Sequence, residues 1–289
     1  MQWRGERAAR HRGLRHWGLP HRGLRHRGLR HWRSGWMVAT VALIMTLVAV
    51  TWPMASVSPS VMMPSALVTV LPAARAPAVG ALFSTSGGRL GSHFCTASVV
   101  DSPAGSLLVT AAHCVAGYPL AASSGLAFVP AYDNGATPYG VWKVTRIFVD
   151  SAWASSADPA NDVAFLAVAR SRGGATIEGV TGGERLGIGQ PGTRIVRVTG
   201  YPDAQDQPIS CQNRTIVFSA TQLQFDCDNF TNGTSGSPFL VDVGTAIGAA
   251  TVIGVIGGYQ QGGYTPDISY SAAFGQNVKA LYDTAVARS

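Results

Sequence analysis

The sequence predicts an all-β domain, either a sandwich or a pair of barrels, that ends in a helix. Three observations predict it. Short apolar runs recur across residues 79–273 with turn residues between them, at the spacing of antiparallel strands. The same region is rich in Gly, Ser, Thr, Val and Ala and poor in Lys and Glu, a balance that favours strands and turns over helices. No long helical period interrupts these runs, which disfavours a parallel sheet wound with helices.

Taken in order, residues 1–35 form a basic leader with ten Arg and one Glu, net +9. The whole chain of 289 residues carries +7, so everything after the leader sums to −2 and the basicity is not a property of the body. A nucleic-acid-binding reading of the whole chain therefore loses its support. Within the leader a five-residue unit, Arg10-His11-Arg12-Gly13-Leu14 and its three successors, places a Gly in every copy. Those glycines argue against a stable helix and for a disordered tail.

No charged residue occurs from Ser34 to Ala74. Residues 36–55 are an apolar core following a basic flank and ending in small residues, the order of a secretory signal peptide, with an uncleaved N-terminal membrane anchor as the alternative. Either one puts the body outside the cytoplasm: secreted, or anchored with its folded domain outside. Residues 56–78, with four Pro among Ala and Ser, read as a linker or pro-segment.

The folded domain is expected over 79–289. Its first set of strands, about 79–171, includes Ala81-Leu82-Phe83, Ala97 to Val100, Leu107-Leu108-Val109, Val141 to Val144, Ile147-Phe148-Val149 and Val163 to Val168. A Gly-rich interval from Arg172 to Gly192 separates these from a second set, about 190–273. That set includes Arg194 to Val198, Thr215 to Phe218, Leu223-Gln224-Phe225, Phe239-Leu240-Val241, Val252 to Ile256 and Ser269-Tyr270. Phe274, Val278, Leu281 and Tyr282 recur at helical spacing and predict a helix over about 274–287.

All four Cys lie in the body, and an even count outside the cytoplasm reads as two disulfides. Of the three pairings, nearest-neighbour bonds, Cys95–Cys114 and Cys211–Cys227, keep one bond in each set of strands. A zinc site lacks Cys-x-x-Cys spacing and has few histidines to help.

Three residues stand out chemically. Ser235 lies in Thr231-Asn232-Gly233-Thr234-Ser235-Gly236-Ser237-Pro238, where flanking glycines permit a tight turn that projects a hydroxyl among converging N–H groups. Alone, this is the composition of any surface turn. His113 ends an apolar run, Leu108-Val109-Thr110-Ala111-Ala112-His113-Cys114, which puts an imidazole at a fixed strand end where a general base belongs. His93, beside Gly91 and Ser92, reads as a turn residue without such framing. Asp162 opens the apolar run Val163 to Val168 and so enters the edge of a core, where a carboxylate needs a partner such as a histidine N–H. Asp158, before Pro159, reads as a turn cap. The order His, Asp, Ser excludes the subtilisin arrangement, and Ser237 breaks the Gly-x-Ser-x-Gly elbow of α/β-hydrolases.

With these residues in view, the chain resembles the chymotrypsin-like (trypsin-like) serine peptidases. Thr110-Ala111-Ala112-His113-Cys114 resembles the family's histidine motif, Phe94 to Ser98 the strand bearing its disulfide partner, and Asn161-Asp162-Val163-Ala164 its aspartate motif. Gly233 to Pro238 resembles its serine motif, and Thr199-Gly200-Tyr201-Pro202 points to the bacterial, glutamyl-endopeptidase-like branch. The resemblance implies two packed six-stranded antiparallel β-barrels with the site between them. It implies a His113–Asp162–Ser235 triad, an oxyanion hole from the backbone N–H groups of Gly233 and Ser235, and no metal or organic cofactor. By position, the substrate pocket takes its wall from Ile256-Gly257-Gly258 and its base from Asp228 and Asn229. The partners are protein or peptide substrates, with no nucleic acid, no membrane contact beyond the N-terminal anchor alternative, and a monomer expected. Where digestive relatives carry an Asp that pairs with a freed N-terminus, this chain has Thr234. The alternative reading is a non-catalytic binding module, a pseudopeptidase, on the same fold.

Overall fold

The computed structural model describes residues 71–72, 77–120, 125–170, 174–244 and 250–289. The basic leader and the apolar segment 36–55 lie outside the described residues. A two-residue strand, β1 (Leu71–Pro72), falls in the stretch read from sequence as linker and pairs antiparallel with Ser210 and Ile209.

Six strands close the first barrel: β2 (Val79–Ser86), β3 (Arg89–Val100), β4 (Leu107–Thr110), β5 (Leu126–Pro130), β6 (Trp142–Val149) and β7 (Ala164–Arg170). Their order around the ring is β2-β3-β4-β7-β6-β5, with every neighbour antiparallel. The β-branched and aromatic residues of these runs suit a pleated surface that is buried. All four residues of β4 are buried, which places the chain just before His113 deep in the molecule. A short helix, α1 (Ser151–Ser156), follows β6 and is capped by the Asp150 carboxylate, which accepts from Ala152 N at 2.7 Å.

The Gly-rich interval holds a second short helix, α2 (Ile177–Thr181), and a two-residue strand, β8 (Arg185–Leu186), that pairs in parallel with the second half of the domain. Neither is long enough to leave a period in the sequence. The remaining strands are β9 (Ile195–Gly200), β10 (Ile209–Arg214), β11 (Ile216–Ser219), β12 (Gln222–Asp226), β13 (Pro238–Val241), β14 (Thr251–Val255) and β15 (Ile268–Ala272). They form one sheet in the order β1-β10-β9-β13-β14-β8 and another in the order β11-β12-β15.

Two seams join these sheets into a second ring. At β14 and β15, Gly257 N donates to Tyr270 O (2.9 Å) and Val255 N to Ser271 Oγ (2.9 Å). At β10 and β12, the Cys211–Cys227 disulfide and the Asn213 Nδ2–Asp226 O bond (2.7 Å) do the same. Val196, Val198, Phe225, Phe239, Val241 and Ile253 fill the enclosed core.

The two halves are stitched along β8. Glu184 N donates to Val99 O (2.9 Å), its carbonyl accepts from Asp101 N (2.9 Å), and Arg185 N donates to Ala250 O (2.9 Å). The Glu184 side chain is buried with them. Burial, and then the charge of Asp101, raise its pKa to about 7 against the opposing pull of the Ala250 N–H and Arg185.

The terminal helix, α3 (Gln276–Arg288), buries Val278, Leu281 and Ala285, one face of a 3.6-residue period. Phe274, placed in the helix by its spacing, is buried just before it. Tyr282 donates to Asp101 O at 2.7 Å and packs edge-on against Phe165, fixing the helix to the first barrel.

Candidate active site

His113 occupies the first position of a 3-10 turn directly after the buried end of β4. Cys114, the next residue, is bonded to Cys95 on β3 with their Cα atoms 6.1 Å apart, so the turn cannot drift from the strand. Closing this loop is worth about 3 kcal/mol on the chain-entropy model.

Asp162 is fully buried and accepts three hydrogen bonds. Its Oδ1 accepts from His113 N at 2.9 Å. Its Oδ2 lies 2.8 Å from His113 Nδ1 and accepts from Gly258 N, also at 2.8 Å. A bare carboxylate in this position would cost several kcal/mol; donors at about 1.5–3 kcal/mol each offset it. With Nδ1 committed to the carboxylate, Nε2 of the ring is left for proton transfer.

The turn carrying Asp162 is itself held from three sides. Asp158 caps it, accepting from Ala160 N (3.0 Å) and Asn161 Nδ2 (2.8 Å). Asn277 of α3 donates to Ala160 O (2.9 Å). Gln222 of β12 donates to Pro159 O (3.0 Å) and accepts from Tyr259 N (2.8 Å).

Ser235 sits in a turn whose carbonyls from Asn232 to Ser235 are tied back. Asn232 O accepts from Asp203 N (2.8 Å), Gly233 O from Thr96 Oγ1 (3.1 Å) and Ser235 O from Thr96 N (2.7 Å). Thr234 O accepts from Ser237 N (3.0 Å) and Ser237 Oγ (2.6 Å). The N–H groups alternate: Thr234 N donates to Thr231 O (3.1 Å) and Gly236 N to Ile256 O (2.7 Å). Among the described residues, Gly233 N and Ser235 N find no partner. Gly233 is buried and Ser235 half-buried; unpaired backbone N–H groups in such a place are uncommon, and two at alternate positions of one turn can receive an oxygen that bears negative charge. Gly233 and Gly236 have φ of 91° and 84°, and a Cβ on Gly236 would collide with Thr96 O and Thr110 Oγ1.

The structure thus joins His113 to Asp162 directly and brings the Ser235 turn to the same place through β3 and β4. Among the described residues no hydrogen bond links the Ser235 hydroxyl to His113. Such contacts are often long in a ligand-free site and tighten when substrate binds.

Asp228 and Asn229 lie on an exposed turn, Asn229 with φ 67°. Ile256 is buried and its backbone braces the serine turn, donating to Ser237 O at 2.9 Å. The glycine pair after it has a duty that sequence reading missed: Gly258 supplies the third donor to Asp162, and a Cβ on Gly257 would stand 3.0 Å from Asp162 Oδ2. Two adjacent glycines beside an apolar strand were the available signal. His93 is not a turn residue. It is buried within β3 against Phe83 and Tyr132, with Nε2 3.6 Å from Asp206 Oδ1. Cys95, Cys114 and His113 lie close enough to suggest metal ligands, but both sulfurs are spent in the disulfide.

Comparison with known proteins identifies the scaffold. The family model described as Trypsin matches residues 71–273. This chain belongs to the trypsin family. With it comes membership of the serine endopeptidases, hydrolases of peptide bonds. The protease Anisep from Arthrobacter nicotinovorans is 25% identical, with a TM-score of 0.64 over 76% of this chain and 100% of that one. A thermostable serine protease, AL20, from an extremophilic microorganism is 26% identical, with a TM-score of 0.61 over 74% of this chain and 99% of that one. A Glu endopeptidase shares the fold at 16% identity, with a TM-score of 0.59 over 76% of this chain and 97% of that one. No curated protein matches the sequence. The family match begins at β1, eight residues before the domain start expected from sequence.

Proposed function

We propose that this trypsin-family chain is an exported endopeptidase that works through an acyl-enzyme on Ser235. The observation that carries this reading is the threefold grip on Asp162, which holds His113 with Nε2 free beside the turn of Ser235. Ser235 Oγ attacks the scissile carbonyl as His113 Nε2 takes its proton. The carbonyl oxygen becomes an oxyanion held by Gly233 N and Ser235 N. Collapse of the tetrahedral species breaks the C–N bond, His113 returns the proton to the leaving amine, and an ester remains on Ser235. Water, deprotonated by His113, then releases the acid and restores the hydroxyl. Asp162 keeps the ring oriented and stabilises the imidazolium. No step needs a metal or organic cofactor.

Ile256, Gly257 and Gly258 are proposed to wall the substrate pocket, with Asp228 and Asn229 toward its base. Export is proposed to use residues 36–55, either cleaved or kept as an anchor, and the disulfides suit that destination. Peptide hydrolysis by the native chain, absent from Ser235→Ala, is the expected result. Turnover that persists in Ser235→Ala would overturn the assignment. The mass of the mature N-terminus separates cleavage from anchoring.

A further inference from the structure

Thr96 is hydrogen-bonded to neither His113 nor Asp162, yet it grips the serine turn twice. Its backbone N donates to Ser235 O (2.7 Å) and its hydroxyl donates to Gly233 O (3.1 Å). The same hydroxyl accepts from Tyr201 N at 3.0 Å. Tyr201 begins the short segment whose Asp203 N donates to Asn232 O (2.8 Å). Thr96 is wholly buried on β3, in the first barrel, whereas Tyr201, Asp203 and the serine turn belong to the second half.

These bonds fix directions. In a trans peptide the C=O and the N–H point opposite ways. The Asn232–Gly233 peptide has its carbonyl drawn to Asp203, so its N–H, that of Gly233, faces away from Asp203. Holding the Gly233 carbonyl on Thr96 aims the next N–H, that of Thr234, at Thr231 O and away from the site. The alternation of paired and free N–H groups in this turn therefore depends on two outside anchors, and the Thr96 hydroxyl links them. Thr234 carries no carboxylate for an ion pair. Its buried hydroxyl donates to Thr231 O at 2.7 Å, within its own turn.

We infer that the Thr96 hydroxyl, with the Tyr201–Asp203 segment, positions the oxyanion hole by holding the carbonyls of Gly233 and Asn232 outward. This rests on the assignment of Ser235 and Gly233 made above. Thr96 is a positioning residue: it acts on the transition state through the turn and not on the substrate. Valine has nearly the same shape and neither hydrogen bond. In Thr96→Val, Gly233 O and Tyr201 N lose a buried partner: the Gly233–Thr234 peptide is freed to rotate, and the Tyr201–Asp203 segment that holds Asn232 O shifts, which together turn the Gly233 N–H out of line.

The test compares the native chain, Thr96→Val and Thr96→Ser for kcat and KM on a peptide substrate. The same three are measured for affinity toward a peptidyl boronic acid, whose tetrahedral adduct places an oxygen in the hole, and toward the matching product peptide. Thr96→Val is expected to lower kcat and boronate affinity by about ten- to a hundredfold, part of the cost of losing an oxyanion donor outright. KM and product affinity should move less than about threefold, because ground-state contacts are untouched. Thr96→Ser keeps the hydroxyl and should restore both. A Thr96→Val protein with a lower melting temperature but native kcat and boronate affinity would overturn the inference and leave a purely structural hydroxyl. If Thr96→Val does not fold, Asp203→Pro takes away the N–H given to Asn232 O, together with the Asp203 side chain, and its ring crowds that carbonyl; it should show the same selective loss in kcat. Native kcat in that variant would be equally fatal. Turnover surviving in Ser235→Ala would instead bring down the Ser235 assignment itself, and this inference with it.

Discussion

Two carboxylates are buried where the halves of the molecule meet, and their surroundings treat them in opposite ways. Asp162 is met by three N–H groups, two from His113 and one from Gly258, all within 2.9 Å. Glu184 feels the Ala250 N–H and the Arg185 charge, but also the repulsion of a second acid, Asp101. Desolvation penalises both charges. Only Asp162 has donors on both oxygens to offset it, so an ionised group can be kept inside the fold and used to orient a base. At Glu184 burial prevails and the pKa rises to about 7. The neutral form is what folding prefers there, and the residue works mainly through its backbone, stitching β3 to β8.

The largest test of the contrast is to swap each acid for its amide. Asp162→Asn points an amide nitrogen or a weaker oxygen at groups that are themselves donors. The kcat/KM of peptide hydrolysis is expected to fall by about 10³- to 10⁴-fold, the scale seen when the orienting acid of such a triad is neutralised. Glu184→Gln is expected to leave kcat/KM within about threefold, because the residue lies away from the reacting atoms.

Stability separates the pair in the other direction. For Glu184 the folded pKa, about 7, is above the ordinary value of 4.5 that the unfolded chain shows. The unfolded chain therefore releases its proton first as pH rises. Stability is whole below pH 4.5, begins to fall above it and is lost through about 7. Thermal unfolding should show Glu184→Gln more stable than native at pH 8, by up to about 3 kcal/mol, and equal to it at pH 4. A stabilisation that is the same at both values would mean that the side chain is not the titrating partner.

A smaller effect is expected at Gly257. Alanine there puts a methyl group 3.0 Å from Asp162 Oδ2 and 3.2 Å from Ala111 Cβ, so the carboxylate must give way. A loss of about 1–3 kcal/mol is expected, with slower turnover that the melting temperature alone would not explain. The smallest effect concerns the N-terminus. Thr234 is buried and bonded within its own turn, so no α-amino group is needed there. Extending the mature N-terminus by two residues should leave kcat within about twofold; abolished turnover would show that a free terminus is required after all.

The contrast also marks what could be read from the sequence. Strands announce themselves by alternation and composition, and the trypsin-like fold was legible from those runs together with the short motifs around residues 113, 162 and 235. Side chains able to do chemistry are nameable because they sit in such motifs. Backbone donors are not. Nothing local shows that Gly258 N reaches Asp162 across 96 positions, or that Thr96 Oγ1 holds Gly233 O across 137. The glycine pair at 257–258 reads from sequence as a pocket wall alone, because absence of a side chain looks the same whether it makes room for substrate or for a carboxylate. His93 read as a turn residue because Gly91 and Ser92 precede it, yet β3 runs unbroken through all three. The seams of the second barrel rest on a disulfide and single hydrogen bonds, which have no period to detect. Glu184 lies in a Gly-rich stretch too short to reveal that it is buried.

The central claim is that Ser235 is the nucleophile and that Asp162, through His113, makes it one. Labelling with a serine-directed phosphonylating reagent, followed by peptide mapping, tests it most directly. A single adduct on Ser235 is expected in the native chain. It should form about as fast in Glu184→Gln and at least about a hundredfold more slowly in Asp162→Asn. A native chain that takes no label, or takes it on another residue, would contradict the claim.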